Sequence, residues 1–113
     1  MYVISFYVPA THLIEVKQAL FDRGAGKIGN YDSCAWQTKG QGQFRPLGGS
    51  DPFSGEQDRL SQVDEYKVEM VCSDEIIAHV IEALYSSHPY EQPAYHVMKS
   101  AFPALSGDCN DPV

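Results

Sequence analysis

The order of apolar and polar positions predicts a strand and then a helix at the start of the chain. Residues 2–8 are apolar at nearly every position, which is typical of a strand that is buried on both faces or central in a sheet. Pro9 closes this strand, and Thr11 is placed to cap a helix that ends at Gly24. The helix is predicted from apolar residues at helical spacing: Leu13, Val16 and Leu20, with Ile14 and Phe21 widening the stripe.

The second half of the chain repeats this order with a clearer pattern. Apolar and charged residues alternate from Val63 to Cys72, as in a strand with one face in water. Ser73 is placed to cap a second amphipathic helix, which stops before His88 and Pro89. Its apolar stripe comprises Ile76, Ile77, Val80, Ile81, Leu84 and Tyr85. Residues 95–98 provide a last short strand.

Glycine and proline interrupt the segment between Gly24 and Gly55 too often for a helix. We predict two short strands here, residues 30–39 and 43–47, joined by a turn at residues 40–42. Pro46 is tolerable only at an edge or at a strand end. The segment is therefore interpreted as a long β arm in the middle of the chain.

The element order is strand, helix, β arm, strand, helix, strand, which predicts an α+β, ferredoxin-like split βαβ sandwich with both helices on one sheet face. An open sheet of this size leaves edges and one face uncovered, so we expect the chain to form homo-oligomers. We assign residues 1–99 to this domain and residues 100–113 to a C-terminal tail that we expect to be mobile.

Composition and charge argue against some classes of binding partner. A chain of 113 residues makes one domain, and 8 basic against 15 acidic residues give a net charge of −7. Because the basic residues are scattered, nucleic acid and anionic membranes are poor partners. There is no apolar run of transmembrane length and no secretory signal pattern, so we expect a cytoplasmic protein. The three widely spaced cysteines are expected to be reduced, with Cys72 in the core and Cys109 in the tail.

Residues 24–29 spell the G-x-G-x-x-G pattern of dinucleotide-binding loops. Phosphate binding by this pattern needs a strand before it and a helix N-terminus behind it, whereas here it follows a helix and enters β structure. A helix C-cap followed by a tight turn is the better interpretation.

Residues 88–95, His-Pro-Tyr-Glu-Gln-Pro-Ala-Tyr, place an imidazole, a carboxylate and two phenols on a segment stiffened by two prolines. The favoured interpretation is structural, with Pro89 ending the helix, Pro93 starting the strand, and His88 and Glu91 holding the loop by hydrogen bonds. A binding site is the first alternative. Two ligands for a divalent metal, or an acid/base pair, form the second. Cys34 is interpreted as a small packed residue rather than a catalytic thiol.

Four ordered blocks together resemble the inserted domain of the Nif-three-like family, which includes the bacterial YqfO proteins. They are residues 24–31, 40–46, 51–53 and 88–95, and the likeness extends over residues 1–98. The resemblance implies a stand-alone version of the insert, without the flanking domain that holds the family's dinuclear metal. It also implies a fold similar to that of CutA and PII-like proteins, which are trimers with clefts between subunits.

By this analogy, the β arm reaches a neighbouring subunit, and residues 30–31 and 88–91 lie near a subunit boundary. The candidates for binding or assembly are Asn30, Tyr31, Cys34, His88, Tyr90 and Glu91. The sequence departs from the family at Gln92, where a second glutamate is usual, and in residues 54–59. Losing that charge weakens any metal site that needs two adjacent carboxylates.

Two functions follow from these observations. The first is a non-enzymatic, oligomeric binding or regulatory module, with a trimer favoured, no catalytic residues, and a small-molecule or protein partner of unknown identity. The second is a protein that binds a divalent metal, or a metal-dependent hydrolase, in which His88 and Glu91 hold the ion, with Cys34 as a possible third ligand.

Overall fold

The structure is a computed structural model and describes residues 1–101. The predicted tail beyond residue 101, including Cys109, lies outside the described residues. Six helices and strands follow one another in the predicted order: β1 (Tyr2–Pro9), α1 (Leu13–Asp22), β2 (Trp36–Phe44), β3 (Ser61–Cys72), α2 (Ile77–Ser87) and β4 (Tyr95–Lys99). Neither of the two helices between residues 1 and 101 is long and apolar enough to cross a membrane.

The four strands form one antiparallel sheet in the order β2-β3-β1-β4, so β1 is central, as predicted. Alternate residues of β1 and of the second half of β3 point at the helices: Ile4, Phe6, Val8, Val68, Met70 and Cys72 are buried against Val16, Leu20, Val80 and Leu84. The predicted core position of Cys72 is therefore confirmed. Both helices cover this one face, and among residues 1–101 no helix or strand covers the opposite face of the sheet. The fold is the predicted α+β, ferredoxin-like split βαβ sandwich.

The predicted turn at residues 40–42 is wrong. Residues 36–44 form one uninterrupted strand, β2, which pairs with β3 along its whole length. Glycine weakens a strand, but pairing with β3 outweighs that cost here, and no positive φ is found at Gly40 or Gly42. Beyond Pro9, β2 and β3 continue as a two-stranded ribbon, so the predicted β arm is this ribbon and the loop of residues 45–60 that connects it.

The predicted cap at Thr11 is also wrong. A single 3-10 turn, Ala10–His12, precedes α1, and the Thr11 hydroxyl oxygen lies 2.8 Å from His12 Nδ1 instead of capping the helix. A second 3-10 turn, Asp74–Ile76, precedes α2. Ser73 occupies the N-cap position of that turn, but its side chain makes no capping hydrogen bond.

Candidate functional site

The glycine-rich segment closes α1 and returns the chain to the sheet. Gly24 N–H donates to Phe21 O and Ala25 N–H donates to Leu20 O, which is the hydrogen-bond pair of a Schellman C-cap. Gly24 has φ +100°, the left-handed conformation that this cap requires. The next regular element is the strand β2 rather than a helix, so the segment lacks the helix N-terminus of a phosphate loop.

Residues 28–31 then form a tight two-residue turn. Ile28 and Tyr31 exchange both backbone hydrogen bonds at 2.9 Å, and Gly29 and Asn30 form the turn. Tyr31 is exposed on this turn. Cys34 is half-buried, and its thiol contacts Asp32 O at 3.6 Å. These residues adjoin a shallow depression on the sheet, which includes Val3 and Glu69.

His88 joins the end of α2 to the central strand. Its side chain is 6% exposed, its Nε2 lies 2.6 Å from Tyr7 O, and its Nδ1 accepts a hydrogen bond from Tyr90 N–H at 3.1 Å. Because Nδ1 accepts, Nε2 carries the proton and donates to the Tyr7 carbonyl. Burial lowers the pKa of the His88 imidazole, and the hydrogen bond to Tyr7 partly opposes that shift. His88 is thus a neutral connector between helix, strand and loop.

Tyr90 extends this connection towards the arm. Its hydroxyl donates to Glu65 Oε2 at 2.8 Å. Burial raises the pKa of the Tyr90 phenol, and the hydrogen bond to Glu65 raises it further. The Glu65 carboxylate lies over Gly42 of the neighbouring strand, where a Cβ would come within 1.9 Å of Glu65 Oε1. Glycine at position 42 therefore leaves the space in which this carboxylate meets Tyr90.

The loop of the arm, residues 45–60, folds back onto Tyr90 and Glu91. Asp51 N–H donates to Glu91 Oε1 at 2.9 Å, which ties the two loops together. The Phe53 ring lies 6.3 Å from that of Tyr90 and 5.3 Å from that of His12, and Phe44 lies 6.5 Å from Tyr90. Edge and tilted contacts at these separations are favourable for aromatic pairs.

A cavity of about 300 Å³ lies between the arm and the 88–95 segment. Its walls comprise Tyr7, Gln43, Phe44, Pro46, Ser50, Pro52, Phe53, Ser54, Glu65, Tyr90, Glu91, Gln92 and Ala94. Sequence reasoning identified Tyr90 and Glu91 as candidates but missed Tyr7, Phe44, Phe53 and Glu65. Phe44 and Phe53 belong to two of the blocks that carry the family resemblance, and that signal could have identified them, whereas no local pattern distinguishes Tyr7 and Glu65 from ordinary strand residues.

The structure divides the six candidate residues between two ends of the sheet. His88, Tyr90 and Glu91 gather at the arm, near Tyr7, whereas Asn30, Tyr31 and Cys34 gather near Val3. Four residues of an extended strand separate these positions, a distance of about 13 Å. Cys34 is therefore not placed to share a ligand with His88.

The hydrogen bonds of His88 also bear on the metal hypothesis. Its one lone pair, on Nδ1, already accepts from Tyr90 N–H, and its Nε2 proton is used by Tyr7 O. Metal binding by imidazole needs a free nitrogen lone pair. Within residues 1–101 no group of three or more histidine, cysteine, aspartate or glutamate side chains is arranged to hold a metal ion. The geometry fits the structural interpretation of His88 and Glu91 better than metal ligation.

Replacing Gly42 with alanine is expected to move the Glu65 carboxylate and break its hydrogen bond to Tyr90. The pKa of Tyr90 should then fall towards the ordinary value of 10, because the hydrogen bond to Glu65 and the nearby Glu65 charge are two of the three causes that raise it. An NMR titration of ring-labelled tyrosine would measure this change. Gly40→Ala is the matched control, since a Cβ at Gly40 of the same strand meets nothing within 4 Å. An unchanged pKa in Gly42→Ala would contradict the prediction.

The chain is similar in sequence to several curated proteins. No protein-family model matches it. A GTP cyclohydrolase 1 type 2 homolog of Halalkalibacterium halodurans is 43% identical over 95 residues, which are 84% of this chain and 26% of that protein. The homolog of the same name from Bacillus subtilis is 42% identical over 94 residues. A Bacillus cereus protein related to NIF3 superposes with a TM-score of 0.72 at 38% identity, over 85% of this chain and 24% of that one.

The chain is similar to one part of the proteins of the Nif-three-like family. It spans about a quarter of the length of the curated Nif-three-like relatives that it matches. The fold is shared more widely than the sequence. CutA proteins from Nostoc and Archaeoglobus fulgidus superpose with TM-scores of 0.62 and 0.64, over 88% and 94% of this chain. Their identities of 14% and 13% show a common fold only.

Proposed function

We propose that this relative of the Nif-three-like insert is a non-enzymatic, cytoplasmic binding module that works as a homo-oligomer, most simply a trimer. The cavity between the arm and the 88–95 segment is its binding site, and Tyr90 and Glu91 belong to that site. We place catalysis outside the module because the resemblance puts the metal-binding residues of the family in the flanking domain.

The observation that carries the assembly is the open face of the sheet. Both helices cover the opposite face, while Trp36 on β2 and Met98 on β4 remain 67% and 64% exposed on this one. Val3 and Val71 lie between them on the central strands. Burying exposed apolar side chains is the main favourable contribution to subunit association. The outer edge of β2 is also unpaired among the described residues, so it can hydrogen-bond to another subunit.

Replacing Trp36 with glutamate is expected to dissociate the oligomer, because an ionised carboxylate would be buried at the contact. Multi-angle light scattering should give a mass of about three times the 12.5 kDa chain for the natural protein and a lower mass for the variant. Ile14→Glu is the matched control, since Ile14 is 78% exposed on α1, away from the open face, and its replacement should leave the mass unchanged. A natural protein that is monomeric at micromolar concentration would contradict the proposed assembly.

A further inference from the structure

The cavity at the arm has an unusual combination of walls. Four aromatic residues line it, Tyr7, Phe44, Phe53 and Tyr90, and two prolines add apolar surface. The rings of Phe44 and Phe53, both from the arm, lie beside the Tyr90 ring of the 88–95 segment here. A volume of about 300 Å³ lies at the lower end of the range for small-molecule pockets. The ligand that fits is therefore small and has an apolar surface.

The charge of the cavity has a single sign. The only charged side chains among its described walls are Glu65 and Glu91, and no lysine, arginine or histidine contributes. Both carboxylates are held in place. Glu65 accepts from the Tyr90 hydroxyl and Glu91 accepts from Asp51 N–H, so each has a second oxygen that these two bonds do not use. An anion would be repelled here, whereas a cation would meet two oriented carboxylates.

We propose that this cavity binds a small organic cation, an ammonium group carrying alkyl substituents. This proposal rests on the proposed function of the domain as a binding module, and it names the class of ligand. The faces of aromatic rings attract cations, and alkylated ammonium ions are the cations that aromatic cages hold best. A bare divalent ion suits the site poorly, because it needs several oxygen ligands and most of the walls are apolar.

The test uses choline as the probe and 3,3-dimethylbutan-1-ol as its uncharged counterpart of the same shape. NMR chemical shifts of the Tyr90 and Phe53 rings would follow both titrations on the full chain. Choline is expected to bind at least about tenfold more tightly than the alcohol, since only the cation gains from the rings and the carboxylates. Equal affinity for the two compounds, or no shift with choline, would overturn the proposal.

Variants of Glu65 and Glu91 test whether these two carboxylates give the cavity its preference for choline. Glu65→Gln keeps an oxygen that accepts from Tyr90, and Glu91→Gln keeps one that accepts from Asp51, so both preserve the cavity while removing charge. The double variant is expected to lose the preference for choline over the alcohol. Glu69→Gln is the matched control, because Glu69 lies on the same strand as Glu65 but lines the separate depression near Val3. This variant should bind choline as the natural protein does.

Circular dichroism should show that the double variant is folded. Should it unfold, Glu91→Gln alone serves instead, because Glu91 is exposed and its replacement removes one charge with little effect on the core. Retained preference for choline in a folded variant would overturn the proposal. Light scattering on the same samples separates the two proposals: a trimer that ignores choline overturns the ligand class alone, and a monomer that binds choline overturns the assembly alone.

Discussion

Alanine at position 26 is expected to lower the free energy of unfolding by about 2–4 kcal/mol, the largest effect of any glycine replacement within residues 1–101. Gly26 has φ +79°, which a residue with a Cβ adopts only with strain. A Cβ here would also lie 2.8 Å from Cys34 O and 2.8 Å from the Phe21 ring. The residue cannot easily move away, because its N–H donates to Val71 O and its carbonyl accepts from Cys34 N–H.

Gly29→Ala is the matched control for this prediction. Gly29 also has a left-handed φ, +57°, but a Cβ there would meet nothing within 4 Å. Its replacement should therefore cost only the backbone strain, about 1 kcal/mol. Urea unfolding of both variants, followed by circular dichroism, measures the difference. Equal losses in the two variants would show that the close approach at Gly26 contributes nothing to stability.

Replacing His88 with alanine is expected to lower the free energy of unfolding by about 2–4 kcal/mol at neutral pH. The change removes a buried ring and leaves the Tyr7 carbonyl and the Tyr90 N–H without their partner. The difference from the natural protein should also shrink as the pH falls. Because burial lowers the pKa of His88 in the folded state, the unfolded chain takes up the proton first, at the ordinary value of 6.5.

The contribution of His88 is therefore fully present above pH 6.5 and declines as the pH falls through that value towards the lower folded pKa. Urea midpoints of the natural protein and the variant, measured between pH 8 and about pH 5 where histidine changes charge, would report this decline. His96→Ala is the control, since His96 is exposed on β4. A stability difference between the natural protein and His88→Ala that stays constant over the whole pH range would contradict the prediction.

The glycine-rich segment and the 88–95 segment, which the sequence singles out, have different roles in the structure. The glycine-rich segment stabilises the fold by ending α1 and joining its end to β3, at Gly26. The 88–95 segment does two things at once, since His88 connects the core to the loop while Tyr90 and Glu91 face the cavity. A histidine and a glutamate three positions apart therefore serve different purposes, and their closeness in sequence is not evidence for a shared metal.

The pattern of apolar and polar residues was sufficient to predict the element order, both helices, the central position of β1 and the inward face of β3. These features follow from local periodicity, because a helix or strand that buries one face must repeat its apolar residues at that period. It also identified the C-cap at Gly24, since few residues other than glycine adopt the left-handed conformation there. The resemblance in four ordered blocks is confirmed by the similarity to curated relatives and to a protein related to NIF3.

The continuity of β2, the partners of His88 and the walls of the cavity could not be predicted from local patterns and became visible in the folded chain. Residues 40–42 form a strand because β3 supplies their hydrogen bonds, although their composition favours a turn. In the sequence, Glu65 does not differ from the other acidic residues of an alternating strand. In the structure, its carboxylate lies over Gly42 and accepts a hydrogen bond from the Tyr90 hydroxyl. These outcomes depend on contacts between residues far apart in the chain, and local patterns of hydrophobicity contain no information about them.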